Sequence, residues 1–259
     1  TKSCIRKNYI EIDNTSEGLI AVENRSFQAG IGAGFMAMPP VDVPMLSLKP
    51  SLMPYKAGHY LKLKHIHSRE ELGTLSQMTL PHSLDDIQSW SVNDRMSYST
   101  RGGVMFGMGI GYNIIASAMK TYMAEGNFTT TVSKMDDTTV FVSIRKGKMK
   151  MFSKKVMNML VELSLGEMNQ VDKNFNFTFD LGTKTGLKAY KRMLSGDILF
   201  AQNVIKADIP GVEFVQYVSS ITQGRSRRLN VGVPFLYNFR KITGRMETVS
   251  QIMNGYTCL

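Results

Sequence analysis

The stretch GGVMFGMGIGYNI, residues 102–114, places a large apolar side chain at every second position. The alternating set consists of Val104, Phe106, Met108, Ile110 and Tyr112. Glycine occupies positions 107, 109 and 111 between them. A repeat of two residues is the signature of a β-strand, and glycine on the other parity leaves that side open to a neighbouring side chain. We therefore predict a strand whose five large side chains face a core, a partner or lipid.

Other segments carry strand patterns as well. Residues 30–35 and 230–237 share the glycine-rich apolar composition, and Asn174–Phe179 alternates phenylalanine with polar residues. A hairpin rich in Thr and Val is predicted over residues 128–135 and 138–145, with two aspartates in its turn. These patterns predict a mainly β fold, an antiparallel sandwich or barrel-like sheet with about two short helices. An α+β fold is the alternative.

Two helices and a second hairpin complete the predicted elements. The apolar spacing within Lys154–Leu165 favours an amphipathic helix, and Thr185–Leu194 is predicted as a helix that ends before Gly196. The second hairpin is placed over residues 213–220 and 228–237, with its turn in residues 222–226.

Domain organisation is read from the proline-rich segment around Pro39 and Pro44. Proline disfavours continuous regular structure, so this segment is predicted to separate an N-terminal arm or first strands, residues 1–44, from a main β-rich domain, residues 45–259. A single domain is an equally acceptable interpretation.

The charge balance is compatible with an anionic partner, and basic residues in solvated strand ends and loops are the commoner explanation. Lys and Arg number 31 against 21 Asp and Glu, a formal net charge of +10. The densest basic cluster is Arg225, Arg227 and Arg228, which we predict as a patch that meets anionic lipid or an envelope surface. Nucleic acid is disfavoured, because the aromatic residues that follow this cluster are better explained as the core face of a strand.

The two cysteines, Cys4 and Cys258, stand almost at opposite ends of the chain. Chain ends are often close together in a domain, so the pair is a candidate disulfide, and two unrelated buried thiols are the alternative. A disulfide suits an oxidising compartment. Because Thr1 is not preceded by an initiator methionine, we also expect an upstream segment to have been removed. Both features favour export to the periplasm, outer envelope or extracellular space.

Catalytic and cofactor motifs are not found in the sequence. The paired acids occupy turn-like positions, and no nucleotide-binding or nucleophile motif occurs, so we predict a non-enzymatic protein without a cofactor. His65 and His67 would lie on one side of a strand, and they are the weak candidates for metal binding. An exposed strand face is the favoured interpretation.

Methionine is abundant, with 19 residues in 259. Its flexible thioether suits either an adaptable core or a surface that contacts lipid or another copy of the chain. We expect a homo-oligomer or larger assembly that works by self-association or by attachment to an anionic membrane or envelope surface. The alternatives are a β-barrel or sandwich that binds an apolar ligand such as lipid, and a pore-forming protein with an insertable glycine-rich hairpin.

Overall fold

A computed structural model describes residues 2–15, 18–34, 46–71, 78–112, 116–158, 160–233 and 237–254. The strands are β1 (Lys2–Thr15), β2 (Gly18–Gly30), β3 (Ala33–Gly34), β4 (Leu46–Ile66), β5 (Arg95–Tyr112), β6 (Ala116–Lys134), β7 (Thr139–Asn158), β8 (Val161–Asp180), β9 (Val212–Val233) and β10 (Tyr237–Asn254). The helices are a 3-10 turn (Arg69–Glu71), α1 (Leu84–Gln88), α2 (Lys184–Leu194) and α3 (Ile198–Lys206).

The strands form one antiparallel sheet in the order β1-β2-β4-β5-β6-β7-β8-β9-β10, and the short β3 pairs with β4. Each long strand therefore lies beside the strands that precede and follow it in the chain. The prediction of a mainly β fold with two short helices is confirmed, since 71% of the structure is strand. Within the described residues, β1 and β10 are the two edges of the sheet.

The strands are much longer than the usual five or six residues. β7 and β8 contain 20 residues each, which corresponds to about 65 Å of extended chain. α2 and α3 follow β8 at one end of the sheet, which we call the proximal end. The opposite, distal end lies beyond the reach of these helices.

The hydrophobic core lies between the helices and one face of the proximal sheet, which we call the front face. Cross-strand pairing places Val132, Val142 and Phe177 in one row on this face, and all three are fully buried. From α2, Tyr190 packs its ring edge to face with Phe179, with the ring centroids 5.9 Å apart. Aromatic pairs at this spacing add to the stabilisation that burial provides.

Helix α2 begins where the chain turns back over the sheet. The Thr183 hydroxyl accepts a hydrogen bond of 3.0 Å from the Gly186 N–H, which caps the helix. Gly186 lies so close to β8 that a Cβ atom there would overlap the Asp180 carbonyl oxygen. Glycine at this position allows the helix to approach the sheet closely and to cover the proximal core.

Several predicted elements are confirmed. The hairpin over residues 128–145 exists, and the Asp136 carboxylate accepts hydrogen bonds from the backbone N–H groups of Thr138 and Thr139 at 2.9 and 2.7 Å. Asn174–Phe179 lies within β8, and the helix predicted over residues 185–194 is α2.

Two predicted elements are wrong, and two helices were not predicted. Lys154–Leu165 is not a helix: it contains the end of β7 and the start of β8. β9 runs unbroken through residues 222–226, where a turn was predicted. Helices α1 and α3 were not predicted, and α3 follows α2 directly. The proposed domain boundary at residue 44 lies outside the described residues, and β2 on one side of it pairs with β4 on the other.

Candidate functional site

The front face changes character along the strands beyond the core. After the buried Ile144, the next three front-facing positions of β7 are Lys146, Lys148 and Lys150. Lys173 of β8 and Lys56 of β4 lie on the same face and at the same level along the strands. We call these five exposed residues the lysine band. None of the salt bridges found in the described part of the chain involves them.

The lysine band lines an open depression of about 1090 Å³. Gly102 of β5 and Gly126 of β6 are direct cross-strand neighbours and contribute no side chain to its floor. At its proximal side the Lys146 ammonium lies 5.7 Å from the centre of the Phe128 ring. The depression therefore combines exposed positive charges with two adjacent glycines on its floor, a combination that favours an anionic group.

Like charges also oppose one another in register on this face. Lys146 is directly opposite Lys173, and Lys120 is directly opposite Lys154 closer to the distal end. Directly opposed like charges destabilise a sheet by a few tenths of a kcal/mol or more per pair. An anion bound between the two side chains would remove this repulsion.

Distal to the lysine band, the front face carries large exposed apolar side chains. We call this set the distal apolar band, and it consists of Leu52, Val104, Phe106, Met108, Ile110, Tyr122, Val156, Leu163 and Leu165. Phe106 and Tyr122 are directly opposed, and Phe152 continues the same row on β7. Aromatic side chains are typical of membrane–water interfaces and of protein interfaces.

Four of the five residues of the predicted partner surface fall within this band. Val104, Phe106, Met108 and Ile110 all point to the front face and are 43–49% exposed. Tyr112 ends β5, and its side chain lies outside the described residues.

The predicted arginine patch is divided between the two faces of β9. Arg225 and Arg227 share the front face with Glu167 and Leu165, their partners on β8, whereas Arg228 lies on the opposite, back face. Arg225 contacts Glu167 at 3.5 Å, with both side chains exposed. The two front-facing arginines therefore border the distal apolar band, and Arg228 belongs to a different surface.

The remaining predicted sites have structural partners or lie outside the described residues. Cys258 lies outside them, and Cys4 contributes its backbone to β1. The His65 Nδ1 atom lies 3.2 Å from the buried Asp94 carboxylate, which also accepts the His65 backbone N–H at 2.8 Å. His67 is exposed, and its N–H donates to Glu71. In the described ranges no group of three or more His, Cys, Asp or Glu side chains could hold a metal ion.

The back face of the sheet holds a charge network that the sequence did not predict. The Glu125 carboxylate is buried, accepts a hydrogen bond from the Tyr55 hydroxyl and pairs with the Arg101 guanidinium. Gly103 stands between Tyr55 and Glu125 on the intervening strand, and a Cβ atom there would lie 3.0 Å from the Tyr55 hydroxyl oxygen. Glycine thus allows Tyr55 to reach across β5.

A second network on the same face follows the same design. Gly147 of β7 lies between Asn127 of β6 and Asp172 of β8, and a Cβ atom at Gly147 would overlap the side-chain oxygens of both. The Arg145 guanidinium lies 3.2 Å from the Asp172 carboxylate. Each buried acid is thus paired with an arginine, and removal of either arginine would leave a buried carboxylate without a compensating charge.

The lysine band has a sequence signal, because Lys146, Lys148 and Lys150 alternate with other residues at strand spacing. Lys56 and Lys173 join them only through cross-strand register. The Glu125 network unites residues from three strands and has no local signal.

Comparisons of the chain with protein-family models, with curated proteins and with solved structures give no match. Among the described helices, none combines the length and the apolar character required to cross a bilayer.

The Tyr55 network makes a spectroscopic prediction. Burial, together with the Glu125 carboxylate, raises the pKa of Tyr55 to about 12, and Arg101 opposes this rise. Since the tyrosine becomes negative on deprotonation, Glu125→Gln should lower its pKa and Arg101→Gln should raise it further. An NMR titration of the Tyr55 ring carbon, assigned with Tyr55→Phe, measures both shifts. Shifts of the same sign in the two variants would contradict the network.

Proposed function

We propose that this protein is a non-enzymatic, exported or envelope-associated protein that attaches to an anionic membrane surface through the front face of its sheet. The observation that carries this proposal is the position of the lysine band directly beside the distal apolar band on that face. The phosphate headgroups of anionic lipids would bind the lysines, and the apolar side chains would enter the interfacial region between headgroups and acyl chains.

Electrostatics supply the first part of the attachment energy. A lysine near an anionic bilayer contributes about 1 kcal/mol, and salt screens the attraction within about a nanometre. Five exposed lysines on one face are therefore sufficient for reversible binding. The opposed pair Lys146 and Lys173 adds a reason for anion binding, because a headgroup phosphate between these residues relieves their repulsion.

The distal apolar band supplies the second part. Contiguous exposed apolar surface on a sheet usually marks an interaction site, and each Å² removed from water stabilises the bound state by roughly 25 cal/mol. The row formed by Phe106, Tyr122 and Phe152 lies between the lysine band and the pair Lys120 and Lys154. Cations on both sides of an aromatic row suit a surface that lies flat on headgroups.

The other proposed functions fit the front face less well. An apolar ligand would meet lysines in the depression above Gly102 and Gly126, whereas an anionic headgroup would meet complementary charge. A pore former would insert the hairpin of β5 and β6, and this would carry Lys120 into the bilayer together with the apolar side chains.

Removal of charge from the lysine band should weaken attachment to anionic vesicles. We expect the triple variant Lys146→Gln, Lys148→Gln and Lys150→Gln to bind phosphatidylglycerol vesicles about 100-fold more weakly, because it loses about 1 kcal/mol per lysine. Co-sedimentation at two salt concentrations measures the partition coefficient.

The matched control removes the same charge from helix α2, with Lys184→Gln, Lys188→Gln and Lys191→Gln. These three lysines are exposed at the proximal end, away from the lysine band. We expect the control variant to bind the vesicles less than about tenfold more weakly than the parent, against about 100-fold for the band variant. Equal losses in the two triple variants would show that only net charge matters.

Apolar contact is tested by tryptophan reporters in a Trp90→Phe background. Tryptophan at position 106 should shift its emission to the blue with vesicles and be quenched by lipids brominated on the upper acyl chain. Tryptophan at position 119, on the back face of β6, should respond to neither. Quenching at both positions would contradict attachment through one face and favour insertion of the hairpin.

Self-assembly is a second candidate function, favoured by the edges of the sheet. β10 is exposed along residues 239–254, and it has one strand neighbour within the described residues. Unpaired N–H and C=O groups along an edge can pair with a strand of another copy. β1 and β10 run in the same direction at the two ends of this order, so pairing of β10 with β10 of a second molecule would continue the antiparallel sheet with the same face on one side.

Light scattering over a range of concentrations should therefore show a defined oligomer. Thr248→Pro and Val249→Pro provide the structural test, because neighbouring residues of a strand direct their N–H groups to opposite sides. One variant should break pairing with β9, and the other should reduce oligomerisation without loss of the fold. A wild-type protein that stays monomeric at all concentrations would contradict this proposal.

A further inference from the structure

The back face carries a row of methionines that crosses the sheet. Direct cross-strand pairing joins Met53 to Met105, Met105 to Met123, Met123 to Met151, and Met151 to Met168. Beyond Met168 the row continues through Gly224 to Met246 on β10. We call these six residues the methionine row. Five of them occupy five consecutive strands, β4 to β8, without interruption.

The methionine row is not part of the hydrophobic core. Met105, Met123, Met151 and Met168 are half-buried on the open back face, and Met53 is 38% exposed. Apart from Met149, the neighbouring rows on this face consist of polar or small residues and Tyr55. On the proximal side the row is bordered by Tyr55, Gly103, Glu125, Met149 and Gln170, and on the distal side by Ser51, Gly107, Thr121, Ser153 and Gly166. An apolar core therefore does not explain why methionine is placed there.

The register places methionine side chains of adjacent strands directly side by side. Directly opposed residues in an antiparallel pair have Cβ atoms about 4.5–5.5 Å apart. Rotation about the Cα–Cβ and Cβ–Cγ bonds moves each methionine sulfur, so the sulfurs of two outer strands can turn toward that of the strand between them. The Met123 sulfur already lies 3.9 Å from the Tyr55 hydroxyl oxygen, which places it above the strand surface on the same side as the polar network.

We propose that the methionine row binds a soft monovalent metal ion, copper(I) or silver(I), through the thioethers of Met105, Met123 and Met151. Thioether sulfur is a soft ligand that selects copper(I) over the hard cations magnesium and calcium. Methionine carries no charge and needs no deprotonation, so this site would bind its ion across a wide pH range. The inference rests on the back face and is independent of membrane attachment.

Isothermal titration with silver nitrate in chloride-free buffer tests the proposal. Thiols also bind silver, so the titration uses the full chain with Cys4→Ser and Cys258→Ser. We expect saturable binding, and at least tenfold weaker binding in the triple variant Met105→Leu, Met123→Leu and Met151→Leu. Leucine keeps the volume and apolar character of methionine and removes the sulfur. Competition with bicinchoninate under reducing, oxygen-free conditions extends the measurement to copper(I).

The matched control carries Met119→Leu, Met149→Leu and Met157→Leu, three substitutions on the same face of β6 and β7 but outside the row. It should bind silver as the parent does. No binding by the parent, or equal binding by both triple variants, would overturn the proposal and leave the row as an apolar contact. Methyl NMR of the parent decides the case if a triple variant fails to fold. Silver should shift the methyl resonances of Met105, Met123 and Met151, and unshifted resonances would also overturn the proposal.

Discussion

The in-register pairing of long antiparallel strands is the constraint on which every surface of this protein depends. A shift of one residue in any strand would move its side chains to the opposite face. Register is fixed at the proximal end, where Val142 and Phe177 are buried beneath the helices and Asp136 closes the turn between β6 and β7. The distal half has no helices above it in the described structure. The register of its strands is therefore set by the core at the proximal end.

The two faces of the distal sheet differ because of this alignment. The front face carries bulky apolar residues and lysines, whereas the back face carries glycines, small polar residues and methionines. Glycine on the back face has a definite use at Gly103, where its missing side chain lets Tyr55 reach the buried Glu125. Glycine and large apolar residues alternate along β5. The glycines therefore leave the back face without side chains at their positions, and Phe106 and Met108 are exposed on the front face.

Local patterns predicted the parts of the fold that local interactions determine. The Asp136 turn, the alternating phenylalanines of β8 and the helix over residues 185–194 were all predicted correctly. The helix predicted over residues 154–165 was wrong because its apolar residues fit both helical and strand spacing, and the turn between β7 and β8 near Leu160 was not recognised. The turn predicted around Gly224 was wrong because that glycine lies inside a long strand.

The surfaces that carry the proposals depend on register, which a single sequence does not contain. Val104, Phe106, Met108 and Ile110 of the predicted partner surface lie in one strand and share a face, so period-two alternation was sufficient to group them. The predicted arginine cluster contains odd and even positions, which face opposite sides of a strand. The structure accordingly places Arg227 and Arg228 on different faces. Lys56 and Lys173 are more than a hundred residues apart in the chain. The same holds for Met53 and Met168. Only the order and alignment of the strands bring such residues into one band or one row.

The spacing of the basic residues on β7 also decides how the front face would meet a membrane. Lys148 and Lys154 are six residues apart on the same face, which corresponds to about 20 Å along the strand. If the sheet entered the bilayer end-on with Lys148 at the headgroups, Lys154 and its opposed partner Lys120 would lie deep in a hydrocarbon core about 30 Å thick. Burial of two opposed cations at that depth is costly. If the sheet lies flat, both basic levels reach the headgroups, and the aromatic row between them enters the interface. The charge pattern therefore favours attachment along the surface over insertion across the bilayer.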